Sequence, residues 1–270
     1  MKSLDTILLE KQKALEAHLK GLGSVAVAFS GGVDSTFLLY EAHKVLGDKA
    51  IAVTMRLNSV PERELAEAKE FCEKENIRQI IVARDQFRID GFAENPKDRC
   101  YICKSYLFSS LQSLAEENGI SHIIDGTNFS DIGGYRPGLK ALAELGVISP
   151  LKEAELTKEE IRALSKEEGL PTWSKPSFAC LATRFPYGER LTEENLRRVE
   201  AAEQFLFDLG FSQFRVRSHG QIARIEVLPQ ELDRLLEQRK AVAEVLKRLG
   251  FMYITMDLEG FRSGSMDAQK

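Results

Sequence analysis

The 270-residue sequence predicts an α/β protein built on a mostly parallel sheet, followed by a smaller α+β domain. Three observations lead there. Short apolar runs rich in Val and Ile alternate with helical patterns through about the first 170 residues. One of these runs passes straight into a Ser-Gly-Gly turn and a new helix, and beyond residue 170 the pattern gives way to a proline-broken aromatic stretch and short strands. Strands alternating with helices imply right-handed crossovers and a sheet covered on both faces. The larger domain is expected over residues 1–171 and the smaller over 172–270.

In chain order, Leu4, Ile7, Leu8, Leu15 and Leu19 recur at near-helical spacing among charges, an amphipathic helix ending at Gly21 or Gly23. Candidate strands follow at 25–29, 50–55, 79–83 and 122–125, with helices starting near Asp34, Pro61 and Asp98. From Leu170 to Arg190, Pro171, Pro176, Pro186 and Gly188 break any long element, while Trp173, Phe178, Phe185 and Tyr187 keep the stretch aromatic. Long ordered loops of this kind usually serve function. A helix over 192–209 and strands at 214–217, 222–227 and 252–257 complete the pattern, with further helix between the last two. There is no internal repeat.

Apolar residues make up 43% of the chain and charged ones 29%, the balance of an ordinary globular protein. No run approaches the roughly 18 uninterrupted apolar residues of a membrane span, and the first twenty residues mix charge with Leu and Ile. A cytoplasmic protein without a membrane partner is expected. The net charge of −4 argues against a surface built to grip nucleic acid and disfavours an RNA substrate. In a reducing compartment Cys72, Cys100, Cys103 and Cys180 point to metal or catalytic use before cross-linking.

The sharpest motif is Ser30-Gly31-Gly32-Val33-Asp34-Ser35, set between the apolar run VAVAF and the next helix. Glycines let the backbone turn tightly and approach an anion, while unpaired amides and the positive end of the helix dipole stabilise phosphate charge. Asp34 would repel phosphate unless Mg²⁺ lies between them, which makes it the candidate metal ligand. The bland alternative is a Ser-Gly-Gly turn with ordinary helix caps. A lysine-bearing GxxxxGK[ST] loop is absent. The string resembles the PP-loop of ATP pyrophosphatases, and the resemblance implies cleavage of ATP between its α and β phosphates with transfer of AMP to an acceptor oxygen.

Asp125-Gly126-Thr127-Asn128, followed by Ser130 and Asp131, closes the fourth strand and would face the same phosphates, because ligands bind outside the carboxyl ends of parallel strands. A surface turn is the alternative. Met55, ending the second strand, is a candidate adenine contact or a core residue. The expected ATP-binding set is therefore Ser30, Gly31, Gly32, Val33, Asp34, Ser35, Met55, Gly126 and Thr127.

Three further segments carry a narrower resemblance: Gly134-Tyr135-Arg136-Pro137-Gly138-Leu139-Lys140, then Ala179-Cys180-Leu181-Ala182-Thr183-Arg184-Phe185-Pro186-Tyr187-Gly188, and Arg215-Val216-Arg217 with His219 and Ala223-Arg224-Ile225-Glu226. Together with the ending 257–264 they resemble the LarE family of ATP-dependent sulfur transferases over nearly the whole chain. The resemblance implies that ATP adenylates a carboxylate of pyridinium-3,5-dicarboxylate mononucleotide and that sulfur then displaces AMP, giving a thiocarboxylate for the nickel-pincer nucleotide cofactor. Relatives assemble, so a homo-oligomer is expected. The chemistry agrees, since a carboxylate is inert to thiolate until its oxygen becomes a good leaving group.

Arg184, Arg215 and Arg217 match the family's mononucleotide-phosphate ligands, a role suited to the bidentate guanidinium. His219 and Glu226 are weaker candidates. Cys180 matches the family's sulfur position, which in single-cysteine members gives up its own sulfur. Here Cys100 and Cys103 add a CxxC that such members lack, in the pattern of three-cysteine members holding a 4Fe–4S cluster with one open iron for sulfide. Three thiolates cannot complete the usual four-cysteine set. Cys72, in a helix, is expected to be buried. A structural zinc site, a redox CxxC and unrelated thiols remain open for the cysteines. For the whole chain the alternatives are a ligase or thiolase acting on another acceptor (tRNA or amide formation), a Cys180 that gives up its own sulfur without a cluster, and a non-catalytic adenine-nucleotide sensor.

Overall fold

Four runs of small and β-branched apolar residues form one parallel sheet. The computed structural model describes residues 4–132, 137–262 and 264–267; Gly134, Tyr135, Arg136 and Ser263, quoted above, lie outside them. The chain divides into two compact units, one of Met1–Asp85 with Asp98–Ser177 and one of Gln86–Lys97 with Phe178–Lys270.

In the first unit α1 (Leu4–Leu22) precedes β1 (Val25–Ala28), α2 (Val33–Leu46) leads to β2 (Ala50–Leu57), α3 (Glu62–Lys74) to β3 (Gln79–Arg84) and α4 (Arg99–Glu117) to β4 (His122–Ile124). Three helices follow, α5 (Pro137–Glu144), α6 (Pro150–Glu153) and α7 (Lys158–Glu167). The strand order is β3-β2-β1-β4, parallel throughout, with Val25 opposite both Ala50 and His122. Strand alternation sorts the side chains to two faces. Val25, Val27, Ala50 and Ala52 pack with Leu15 and Leu19 of α1, Phe37 and Leu38 of α2, Phe71 of α3 and Ile161 and Leu164 of α7. Ala26, Ile51 and Val53 pack with Leu107, Phe108 and Leu111 of α4 and Leu142 of α5. Each Leu or Phe so buried contributes roughly 1.5–3 kcal/mol.

The path through the sheet decides where a ligand can sit. It builds outward from β1 to β2 and β3 and then returns to lay β4 on the other side of β1, so the order reverses between β1 and β4. The sequence reading named no helix over 137–167. α7 nevertheless starts from a capping box, Glu160 N donating to Thr157 Oγ1 at 3.3 Å and Thr157 N to Glu160 Oε2 at 2.8 Å. The string Thr-Lys-Glu-Glu carries that signature.

In the second unit α8 (Glu193–Asp208) packs on β5 (Phe214–His219), and β6 (Ile222–Val227), α9 (Leu232–Glu237), α10 (Arg239–Arg248) and β7 (Tyr253–Met256) follow. The sheet order is β5-β6-β7, with β5 and β6 antiparallel and β6 and β7 parallel. Leu196, Val199, Leu206, Phe214, Val216, Ile225 and Leu246 are buried. Residues 86–97 belong here because they hold the proline-rich loop: Gly188 N donates to Asn95 O at 2.9 Å, Asn95 Nδ2 to Pro186 O at 2.7 Å and Leu191 N to Ala93 O at 2.7 Å. Among the described residues no helix is long and apolar enough to cross a membrane.

Gly126, just past β4, lies against the start of α2: a Cβ there would stand 2.9 Å from Ser35 N and 3.2 Å from its Cα. Gly126→Ala is expected to lower stability by about 1–3 kcal/mol through overpacking. Gly21→Ala, inside α1 with nothing within 4 Å of the added carbon, is expected to be neutral or stabilising by up to about 1 kcal/mol. Urea unfolding of both variants checks the contrast.

Candidate active site

The loop between β1 and α2 is shaped by two requirements. Gly31 has φ +70°, and a Cβ on it would lie 3.1 Å from the Ala68 Cβ of α3, so conformation and space both demand glycine. α2 is capped by Gly32, which offers no side-chain acceptor to the first-turn amides. A helix of 14 residues thus presents its N-terminal N–H groups without a capping oxygen, the arrangement that receives anions. Ser35 Oγ turns back to Gly32 O at 3.2 Å and Ser30 Oγ at 3.0 Å, stiffening the turn.

Loop and fourth strand meet at Asp34. Its Oδ1 accepts from Asn128 Nδ2 at 3.3 Å and its Oδ2 from Lys158 Nζ at 2.5 Å. Lys158 stands at the first position of α7, and its backbone N donates to Ser130 Oγ at 3.0 Å. Asp125, by contrast, is turned inward, accepting from Thr127 Oγ1 at 2.6 Å and Ser149 Oγ at 2.7 Å. Asn128 and Asp131 form a capping box on the short 3₁₀ turn at Phe129–Asp131. Met55 is partly buried against the α4 face of the sheet. The Asp34 carboxylate therefore already binds a cation at the mouth of the loop, and its donor chemistry fits Mg²⁺, which commonly takes one carboxylate and completes its shell with phosphate oxygens and water.

A second lysine went unnoticed in the sequence. Lys175 Nζ donates to Gly31 O at 3.0 Å and pairs with Glu64 at 2.8 Å and Glu67 at 2.6 Å on α3. Arg162 of α7 fixes the backbone beside it, bonding Trp173 O at 2.5 Å and Lys175 O at 2.8 Å. Neither Lys158 nor Lys175 lies in a motif; the capping box was the one local signal, and it announces a helix start, not a role for Lys158.

Cys100 is exposed and Cys103 half-buried on the first turns of α4, three residues apart and so on one side of the helix. This places two sulfurs where they can bind one thiophilic metal centre. Cys72 is buried in α3, and burial pushes its thiol up to about 12, so it is protonated and inert at neutral pH. Cys180, half-buried, belongs to the second unit, where it caps the 3₁₀ turn Leu181–Arg184. Among the described residues no three His, Cys, Asp or Glu side chains gather as a metal-holding group.

The three arginines stand in one buried cluster of the second unit. Arg184 Nε and Nη2 donate to Glu203 Oε1 and Oε2 at 2.7 and 2.9 Å, and Arg217 Nε and Nη2 to Glu226 Oε1 and Oε2 at 3.1 and 2.9 Å. Arg217 also meets Ser265 Oγ at 3.0 Å. Arg215 donates to Phe214 O at 2.6 Å and lies over the rings of Phe178 and Phe261, 5.3 and 5.0 Å from their centroids. Burial alone would raise the Glu203 carboxyl, but the charge and hydrogen bonds of Arg184, with the charge of Arg215, hold it below the usual carboxylate range. Burial and the neighbouring Arg184 press the Arg215 guanidinium below its ordinary value, with Glu203 opposing. Arg184 and Arg217 are thus ion-paired to Glu203 and Glu226, and Arg215 lies within electrostatic reach of both pairs. Glu226 thus serves as an ion-pair partner, and His219, beside Arg224, is pushed below its usual value first by burial and then by that charge.

Comparison with known proteins agrees with this geometry. A family model described as Queuosine biosynthesis protein QueC matches residues 24–93, the stretch holding the phosphate loop and the first three strands. The chain is 29% identical to the glutamine-hydrolyzing GMP synthase of Brucella melitensis biotype 1 over 224 residues, covering 73% of this chain and 43% of that one. It is 39% identical to an uncharacterised protein of Synechocystis sp. over 97% of this chain and 98% of the relative. It is 40% identical to the pyridinium-3,5-bisthiocarboxylic acid mononucleotide synthase of Lactiplantibacillus plantarum over 96% of this chain and 95% of that protein. With identity of that order along almost the full length of both chains, and a phosphate loop built as described, the chain belongs to the pyridinium-3,5-bisthiocarboxylic acid mononucleotide synthase (LarE) family of PP-loop ATP-dependent sulfurtransferases.

Proposed function

We propose that the protein adenylates a carboxylate of pyridinium-3,5-dicarboxylate mononucleotide and converts it to a thiocarboxylate for nickel-pincer nucleotide assembly, with Cys100, Cys103 and Cys180 holding a 4Fe–4S cluster. The observation that carries the adenylating half is the Asp34–Lys158 pair at the uncapped start of α2. The acceptor is supported by the buried cluster of Arg184, Arg215 and Arg217 and by the similarity to the pyridinium-3,5-bisthiocarboxylic acid mononucleotide synthase of Lactiplantibacillus plantarum.

In the first step an oxygen of the substrate carboxylate attacks the α-phosphorus of ATP and pyrophosphate departs. The amides of Gly32 to Asp34 face the phosphates, and the Lys158 ammonium, paired with Asp34, exchanges that carboxylate for phosphate oxygens as charge builds on the leaving group. Mg²⁺, when bound with ATP, would be held by Asp34 and would neutralise phosphate charge. In the second step a sulfur nucleophile attacks the carbonyl carbon of the mixed anhydride, and AMP leaves with the oxygen that attacked phosphorus. A cluster bound through three thiolates would supply an open iron for hydrosulfide. Arg215 and Arg217 hold the mononucleotide phosphate; the Ser265 hydroxyl on Arg217 is a neutral contact that an anion can replace. The chain is proposed to act as a homo-oligomer in the cytoplasm.

The deciding assay follows pyrophosphate and thiocarboxylate anaerobically, with ATP, the pyridinium mononucleotide and sulfide, with and without reconstituted iron. Pyrophosphate release with tRNA but not with the mononucleotide would sink the proposed acceptor. Lys158→Ala is expected to slow pyrophosphate release about 10²-fold, the loss typical of removing one preorganised charge-stabilising donor. Asp34→Ala should abolish the dependence of the residual rate on Mg²⁺.

After reconstitution the wild type should hold about four irons and absorb broadly in the visible, and Cys100→Ala should lose most of both. Cys72→Ala, which removes a buried and protonated thiol, should change neither. A colourless protein that takes up zinc in place of iron would remove the cluster from the reading.

A further inference from the structure

We propose that Arg184 is a positioning residue for Cys180: clamped by Glu203, it holds the backbone turn that presents the thiol and does not itself meet the substrate phosphate. The inference rests on the reading of Cys180 as a sulfur-handling residue.

Arg184 is fully buried, and each of its three guanidinium nitrogens already has a partner. The face formed by Nε and Nη2 is closed by the two oxygens of Glu203. Nη1 points the other way, to Ala179 O at 3.0 Å, Cys180 O at 3.3 Å and Thr183 Oγ1 at 2.8 Å. The carbonyls of residues 179 and 180 lie on either side of the Cys180 Cα. One guanidinium bonded to both therefore constrains the peptide planes before and after the thiol-bearing carbon.

The same turn is tightened from within. Cys180 O also accepts from Thr183 N at 2.9 Å and Thr183 Oγ1 at 2.8 Å. Its far end is tied by Arg217 Nη1, which donates to Thr183 O at 3.0 Å. Glu203 in turn fastens the assembly to the sheet, since its Oε1 accepts from Val216 N of β5 at 2.9 Å. Cys180 is thus referenced through Arg184 and Glu203 to α8 and β5, while its side chain stays half-exposed. For a phosphate to reach Arg184, it would have to displace a buried carboxylate or the carbonyls of the cysteine turn. Arg217, although also paired with a carboxylate, has a hydroxyl to give up; Arg184 has no such exchangeable partner except Thr183 Oγ1, which itself belongs to the turn.

The test compares wild type, Arg184→Lys and Thr183→Val in three readouts: the KM for the mononucleotide in pyrophosphate release, the rate of thiocarboxylate formation, and the rate of Cys180 alkylation by iodoacetamide with Cys100 as internal reference. Lysine keeps the charge beside Glu203 but cannot reach both sides of the turn. Thr183→Val leaves the buried ion pair whole, so it reports on the turn even if Arg184→Lys fails to fold. Both variants are expected to keep KM within about twofold, to lose thiocarboxylate formation by about tenfold or more, and to change Cys180 alkylation severalfold with Cys100 unaffected. A KM rise of about tenfold in Arg184→Lys with unchanged alkylation would overturn the proposal and make Arg184 a phosphate ligand. No change in any readout would overturn it as well. Cys180→Ala, run in parallel, separates the two claims: full thiocarboxylate formation there would end the sulfur-handling reading of Cys180, while the alkylation rates would still decide whether Arg184 holds the turn.

Discussion

The first unit depends on the reversal of strand order between β1 and β4. Helices leaving β1 and β2 pack on one face of the sheet and α4 on the other, and the chain segments at the carboxyl ends of β1 and β4 stand side by side where the order reverses, the place at which such sheets bind ligands. Ser30–Gly32 follows one strand and Asp125–Asn128 the other. The two are pressed close enough that Gly126 cannot carry a Cβ without disturbing the first turn of α2. From this one constraint follow the uncapped helix terminus, the meeting of Asn128 with Asp34, and the position at which α7 can deliver Lys158.

The charges beside the phosphate loop are paired with one another. Asp34 is neutralised by Lys158, and Lys175 by Glu64 and Glu67. A lone carboxylate beside helix N–H groups is tolerable, but a lone ammonium beside them would be repelled by the positive end of the helix dipole. Pairing Lys158 with Asp34 resolves both.

Much of this arrangement was legible in the sequence, for a physical reason. The phosphate loop, its strand and its helix are contiguous, so glycine conformation, apolar run and helix start are all local properties, and strands β1 to β4 fell within two residues of their expected bounds. Cys72 was readable as buried because a free thiol among helix-facing apolar positions has nowhere else to go. Lys158 and Lys175 were not readable, since each reaches its partner across more than a hundred residues, and nothing local distinguishes them from solvated lysines. Nor could sequence show that Arg184 and Arg217 each hold a carboxylate face to face. A pair of arginines two apart on a strand looks the same whether it faces phosphate, glutamate or water.

The second unit raises a different question, namely why three arginines should be buried together with two glutamates. Three guanidinium groups packed together without counter-charge would be strongly destabilised by desolvation and mutual repulsion. Glu203 and Glu226 make the cluster tolerable, and Arg215, close to two aromatic rings, has its charge opposed by burial and by Arg184. An anion entering there would relieve that opposition, whereas the same anion at Arg184 would have to break a bidentate pair and loosen the turn carrying Cys180. The surroundings therefore differ from one arginine to the next: Arg215 has its charge opposed by burial and by Arg184, while Arg184 is bonded on every nitrogen to carboxylate and turn.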